Sequence, residues 1–229
     1  MNNSMIKAVI FDMDNTLIDF MKIKTSSVEA AINAMIHAGL KMDKKKAEEI
    51  LYELYDEHGI EDQHIFQRFL ERVNNKIDYK ILSAGIVAYR KLQSGLLDPY
   101  PATFPTLVKI KEMGLKLAIL SDAPSIKGWI RLREMKIADF FDVVVTFDDT
   151  KETKPNPAPF KKVLSMLNLK PEECLMVGDS PKRDMEGAKK AGIKTVFASY
   201  GATKDKKYKD ADYTIKSVSE VIPILEKLK

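Results

Sequence analysis

The chain has 229 residues, 45% of them hydrophobic, with 37 Lys and Arg against 33 Asp and Glu and a net charge of +4. That length admits one large domain or one domain carrying an insert, and that composition excludes general disorder. No apolar run approaches the roughly 18 residues a membrane helix needs, and a single cysteine, Cys174, excludes an internal disulfide or a CxxC site.

Met1–Met5 carries neither the basic flank nor the apolar stretch of a signal peptide, so the expected location is the cytoplasm, with no membrane partner. Met5 to Phe11 is a short β-branched run ending in Asp12, the pattern of a buried parallel strand that delivers a polar residue. Ser26–Glu29 fits a capping box, and Val28, Ala31, Ile32, Met35 and Ile36 then repeat at helical spacing up to Gly39. Further helices are expected around Ala47–Tyr55, Ile65–Val73 and Tyr79–Leu92. Lys44–Lys46 runs into Glu48 and Glu49, and Lys204, Lys206, Lys207 and Lys209 are likewise broken by Asp205 and Asp210. Such mixed signs read as solvated faces, so no nucleic-acid partner is expected. Residues 20–95 thus read as an all-helical insert.

The Pro-rich stretch from Pro99 to Pro105 marks a change of pattern. Helix 105–113 precedes a strand ending at Leu120, helix 126–136 precedes Val143–Val145, and helix 158–167 precedes Cys174–Val177. Helix 182–191 precedes a strand at 194–197, and Tyr213–Ile215 and a last helix follow. Strands alternating with helices give an α/β fold, a three-layer Rossmann-like parallel sheet, here over residues 1–19 and 96–229. Within it Cys174 reads as a small strand residue, and Trp129 with Ile126 and Ile130 as core packing. His37, His58 and His64, all in the insert, read as solvated, and Lys22 and Lys24 as surface residues.

Open parallel sheets bind ligands beyond the carboxyl ends of their strands. Asp12-Met13-Asp14-Asn15-Thr16, Ser121-Asp122, Lys154-Pro155 and Gly178-Asp179 with Asp184 all fall at such ends. Carboxylates gathered there repel unless a cation intervenes, and few, hard oxygen ligands suit Mg²⁺. A lysine and a hydroxyl beside it would orient a phosphoryl group. With no histidine outside the insert, acid–base work falls to a carboxylate, and Asp14 is the candidate.

The residues Asp12-x-Asp14-x-Thr16, Ser121, Lys154-Pro155 and Gly178-Asp179-x-x-x-x-Asp184 resemble, in order and spacing, the four motifs of the haloacid dehalogenase superfamily. The insert after the first motif is similar to its α-helical cap, and the chain resembles the archaeal phosphatase-like members. The resemblance implies that Asp12 is the nucleophile and Asp14 the acid and base. It implies that Ser121 and Lys154 bind the substrate phosphate and that Thr16 supports the first loop. It also implies that Mg²⁺ is held by Asp12, the Asp14 carbonyl and Asp179, with Asp184 joining directly or through water. One departure is Asp122, where Asn is common; a carboxylate there would repel a phosphate. The function implied is a Mg²⁺-dependent phosphatase acting on a small phosphorylated metabolite. A phosphomutase is the alternative reading, followed by a haloacid dehalogenase and a phospho-acceptor without enzymatic activity. The insert is large enough to serve as a lid, so phosphoproteins are expected to be poor substrates.

Overall fold

The first strand, β1 (Ala8–Phe11), has no polar side chain and is wholly buried, as befits a strand flanked on both edges and covered on both faces. The computed structural model describes residues 5–202 and 208–228. Met1–Ser4 and the mixed charges at Lys204–Lys207 lie outside the described residues. The chain divides into two compact units, Met1–Phe20 with Asp98–Lys229, and Met21–Leu97. The sequence places those joints after residues 19 and 95.

Four helices follow β1: α1 (Phe20–His37), α2 (Lys44–His58), α3 (Ile65–Asn74) and α4 (Tyr79–Leu96). No capping box forms at Ser26, because α1 has already begun six residues earlier. Its buried positions are 20, 23, 24, 27, 28, 31, 32 and 35, one unbroken helical stripe on which Ser27 rides. Asp43 and Asp78 cap α2 and α4 by accepting from the backbone N–H of Lys46 and Lys80. The shared core joins Ile32 and Met35 to Leu51, Leu54, Phe66, Phe69, Leu70 and Leu82. Gly85 of α4 lies against the Met35 side chain with no room for a Cβ.

Lys24 is a correction. It is buried, not exposed, because residue 24 falls on the stripe of α1; its ammonium donates to the Ile60 carbonyl (2.8 Å) and lies 4.1 Å from the Tyr55 ring centroid. Lys22 and the three histidines are exposed.

The rest of the chain runs α5 (Thr103–Glu112), β2 (Lys116–Leu120), α6 (Ser125–Glu134), β3 (Val143–Val145), α7 (Phe147–Thr150) and α8 (Pro157–Leu167). It continues as β4 (Cys174–Gly178), a π-helical turn (Pro181–Met185), α9 (Glu186–Lys190), β5 (Lys194–Ala198), β6 (Tyr213–Ile215) and α10 (Val221–Lys227). The six strands are parallel in the order β3-β2-β1-β4-β5-β6. Alternate residues serve opposite faces: Ala8, Ile10, Ala118, Leu120, Cys174 and Met176 pack on Phe160, Val163 and Leu167 of α8, while α5 packs on β2. Cys174 is such a strand residue, and burial pushes its thiol up to about 12. Among the described residues no helix is long and apolar enough to cross a membrane.

Trp129 is a second correction. It is 42% exposed, and Ile126 and Ile130 are exposed with it. The buried face of α6 is instead Gly128, Arg131 and Leu132, leading to Met135. The sheet unit also ties together the two places where the helical segment leaves and rejoins it. Ile18 forms an antiparallel bridge with Pro99, and the Leu17 carbonyl accepts from the Tyr100 N–H (2.9 Å) and the Thr103 hydroxyl (3.3 Å).

Candidate active site

Strand register does the first assembly. Phe11 lies level with Ile119 on one side and Val177 on the other, so Asp12 stands just past the strand end, with Ser121 and Asp179 one residue further along their own strands. The Asp12 N–H continues the ladder to the Val177 carbonyl (2.9 Å), and the Ser121 N–H does the same to Val145 (2.9 Å). The order of strands reverses beside β1, which is where an open α/β sheet leaves its crevice.

After Asp12 the chain turns sharply: Leu17 N–H returns to the Met13 carbonyl (2.9 Å), and Asn15 takes a left-handed conformation (φ 60°) that Asn tolerates. Gly201 lies so close to the Asn15 carbonyl that any Cβ would collide with it. The Thr16 hydroxyl donates to Asp12 Oδ2 (3.3 Å), and the Thr16 carbonyl accepts from the Tyr200 hydroxyl (2.7 Å).

Lys154 joins the motifs. All three protons of its ammonium are engaged: Asp12 Oδ1 at 2.6 Å, Asp184 Oδ1 at 2.6 Å and the Leu120 carbonyl at 2.9 Å, with its side chain 1% exposed. Burial alone would depress this ammonium, but the Asp12 and Asp184 carboxylates hold it well above the ordinary lysine value. Asp184 sits on the π-helical turn, fully buried, and its other oxygen accepts from the Ser180 N–H (2.9 Å). Gly178 must be glycine for this approach, since a Cβ there would stand 2.5 Å from the Asp184 carboxyl carbon.

Asp12, Asp179 and Asp184 each bring one carboxylate oxygen within 4.8 Å of the others, all three buried. Burial, and then the neighbouring Asp12 and Asp184 charges, push Asp179 up to about 8, and its Oδ1 is buried without a hydrogen-bond partner. Three carboxylates around a single ammonium, with one oxygen left over, make a hard-oxygen donor set that fits a divalent cation.

The other predicted residues lie around this centre. Ser121 is buried and its Oγ accepts from the Ala123 N–H (3.2 Å). The Asp14 carboxylate accepts from Arg131 (2.7 Å). Asp122 holds its neighbours in place, with one oxygen accepting from the Lys154 backbone N–H (2.9 Å) and the other facing Arg183 (3.4 Å). Arg131, Arg183 and Tyr200 carry no motif in the sequence. None of the three leaves a signal there that marks it as part of the site.

The family model for haloacid dehalogenase-like hydrolases matches residues 9–198. The glyceraldehyde 3-phosphate phosphatase of Methanocaldococcus jannaschii is 37% identical over 226 residues, covering 98% of this chain and 99% of that protein. Pyrophosphatase PpaX of Bacillus mycoides is 31% identical over 230 residues, covering 97% and 98%. Among solved structures, a HAD phosphatase from Thermococcus onnurineus matches with a TM-score of 0.71 at 28% identity, covering 96% and 98%. Motif order, site geometry and full-length similarity agree: this chain belongs to the haloacid dehalogenase-like hydrolases.

Proposed function

We propose that the chain is a Mg²⁺-dependent phosphatase of a small phosphorylated metabolite, with residues 21–97 as the cap that selects it. The observation that carries this reading is the Lys154 ammonium held between Asp12 and Asp184, beside the unpartnered oxygen of Asp179. Asp12, the Asp14 carbonyl and Asp179 would hold the cation, with Asp184 as further support. When bound it supplies positive charge that offsets these carboxylates and the phosphoryl oxygens.

An Asp12 oxygen attacks phosphorus in line, the bond to the ester oxygen breaks, and Asp14 gives that oxygen its proton. Asp14 then takes a proton from water, whose oxygen attacks the aspartyl-phosphate and returns Asp12. Ser121 orients the phosphoryl oxygens throughout, and the Lys154 ammonium, whose protons are held by Asp12, Asp184 and the Leu120 carbonyl, offsets their charge. Thr16 restrains Asp12 through its hydroxyl.

The names of the similar proteins put glyceraldehyde 3-phosphate and pyrophosphate first in a substrate panel. The purified protein and Asp12→Asn are compared on that panel and on a phosphopeptide, with Mg²⁺ and with EDTA. Phosphate release that needs both Mg²⁺ and Asp12, and that favours a metabolite over the peptide, is expected. Release surviving Asp12→Asn refutes the nucleophile, and transfer to a second hydroxyl in place of water moves the assignment to a phosphomutase.

A further inference from the structure

Arg131 is a buried arginine in a place where packing alone asks for an apolar residue. It lies on the inner face of α6 with Gly128 and Leu132, its side chain 4% exposed. A Cβ built on Gly128, one turn earlier, would stand 3.9 Å from the end of the Met13 side chain, so this face of α6 lies beside the segment that carries Asp12 and Asp14. From there the Arg131 guanidinium crosses to Asp14 Oδ2 at 2.7 Å, and its central carbon lies 4.3 Å from the centre of the Phe20 ring.

We propose that Arg131 is a positioning residue for Asp14: the guanidinium, clamped by Phe20, holds the Asp14 carboxylate in the orientation its proton transfers need. This inference rests on the phosphatase reading above. Buried ion pairs add little net stability compared with apolar residues of the same size, so this pair is poorly explained by folding alone. Arginine suits this role because its planar head stacks on an aromatic ring and donates in fixed directions. Asp14 stands on a loop, and a loop carboxylate that must both give and take a proton needs an anchor on a rigid element. Fixing one carboxylate oxygen also sets the direction of the other. Displacement of a reacting group by about 1 Å costs on the order of 100-fold in rate.

The test compares wild type, Arg131→Met, Arg131→Lys and Asp14→Asn, with Mg²⁺, on an alkyl phosphate and on p-nitrophenyl phosphate. The alkyl ester needs its leaving oxygen protonated; nitrophenolate leaves without that help. Arg131→Met is expected to lower kcat on the alkyl ester by about 50-fold, with KM changed less than about threefold. Its loss of kcat/KM is expected to be about tenfold greater on the alkyl ester than on the aryl ester, the same trend as in Asp14→Asn. Arg131→Lys, which keeps the charge but not the planar fork, is expected to recover only part of the loss. Urea unfolding of the single and double variants reads the pair without turnover: positions 131 and 14 should couple by about tenfold in the unfolding constant.

Absent coupling, or equal losses of Arg131→Met on both esters, overturns this inference while leaving the phosphatase reading intact. Wild-type protein that releases no phosphate from any ester overturns the phosphatase reading and, with it, the role given to Arg131.

Discussion

Lys154→Met keeps most of the buried stem and deletes three donors at once, to Asp12, Asp184 and the Leu120 carbonyl. Removing one partner of a buried pair costs about 3–5 kcal/mol because the other charge stays buried. Here the stranded groups are carboxyls, which can escape by taking protons, so the cost must depend on pH. A carboxyl kept neutral in the fold and released near pH 3.9 in the unfolded chain costs about 1.4 kcal/mol per pH unit above that value. At pH 5 this is about 1.5 kcal/mol per group, and it keeps growing as pH rises until ionisation in the fold becomes the cheaper option. The substitution should therefore destabilise by at least about 2 kcal/mol more at pH 8 than at pH 5, a widening of roughly 4–8 °C in Tm for a chain of this size. Trp129, the one tryptophan, lies in the sheet unit and reports its unfolding by fluorescence. Mg²⁺ at pH 8 should recover part of the loss by replacing the missing charge. An equal loss at both pH values would show that Lys154 does not neutralise these carboxylates.

Asp179, pushed up to about 8, retains a proton between pH 4 and 8 that the unfolded chain gives up. The metal-free protein should therefore lose stability as pH rises through that window, at up to about 1.4 kcal/mol per unit. Mg²⁺ must displace this proton, so its affinity should fall about tenfold per unit below pH 8, with about one proton released in calorimetry near neutrality; a constant affinity from pH 6 to 8 would refute this. Gly201→Ala forces a methyl group onto the Asn15 carbonyl, and should cost about 2 kcal/mol or more and depress turnover through the Asp12 loop. Tyr200→Phe loses the bond to the Thr16 carbonyl but keeps the edge-on pair with Tyr100, so a loss of about 1 kcal/mol in urea unfolding is expected.

The order of strands and helices was legible because β1, β2 and β4 are apolar runs that each end abruptly in Asp or Ser, and a parallel sheet puts such ends on one edge. Asp12, Ser121 and Asp179 stand out for that reason, whereas Lys154 and Asp184 follow no such run directly and stand out only beside the other motifs. Arg131 does not, since arginine at a helical position reads as solvated unless its acceptor, 117 residues away in sequence, is known. Trp129 misled for the converse reason: with Ile126 and Ile130 it makes a convincing apolar stripe, yet the face of α6 turned inward is the one carrying Gly128 and Arg131. The start of α1 was lost because Ser26 and Ser27 mimic a cap, although the apolar spacing already runs back to Phe20. The π-helical turn at Pro181–Met185 has no periodic signature at all. It is recognisable only once Asp184 is seen returning to Lys154.

The stitching of Leu17 and Ile18 to Pro99, Tyr100 and Thr103 makes residues 21–97 an exchangeable cassette. Because the outgoing and returning chains are fastened to each other inside the sheet unit, the register of β1 against β2 does not depend on what is spliced between them. Loop-closure cost grows only slowly with length, so a shorter or longer module with neighbouring ends can occupy the same position at little energetic cost. Under the phosphatase reading, a change of this module would alter what is selected without disturbing the residues proposed to carry the chemistry.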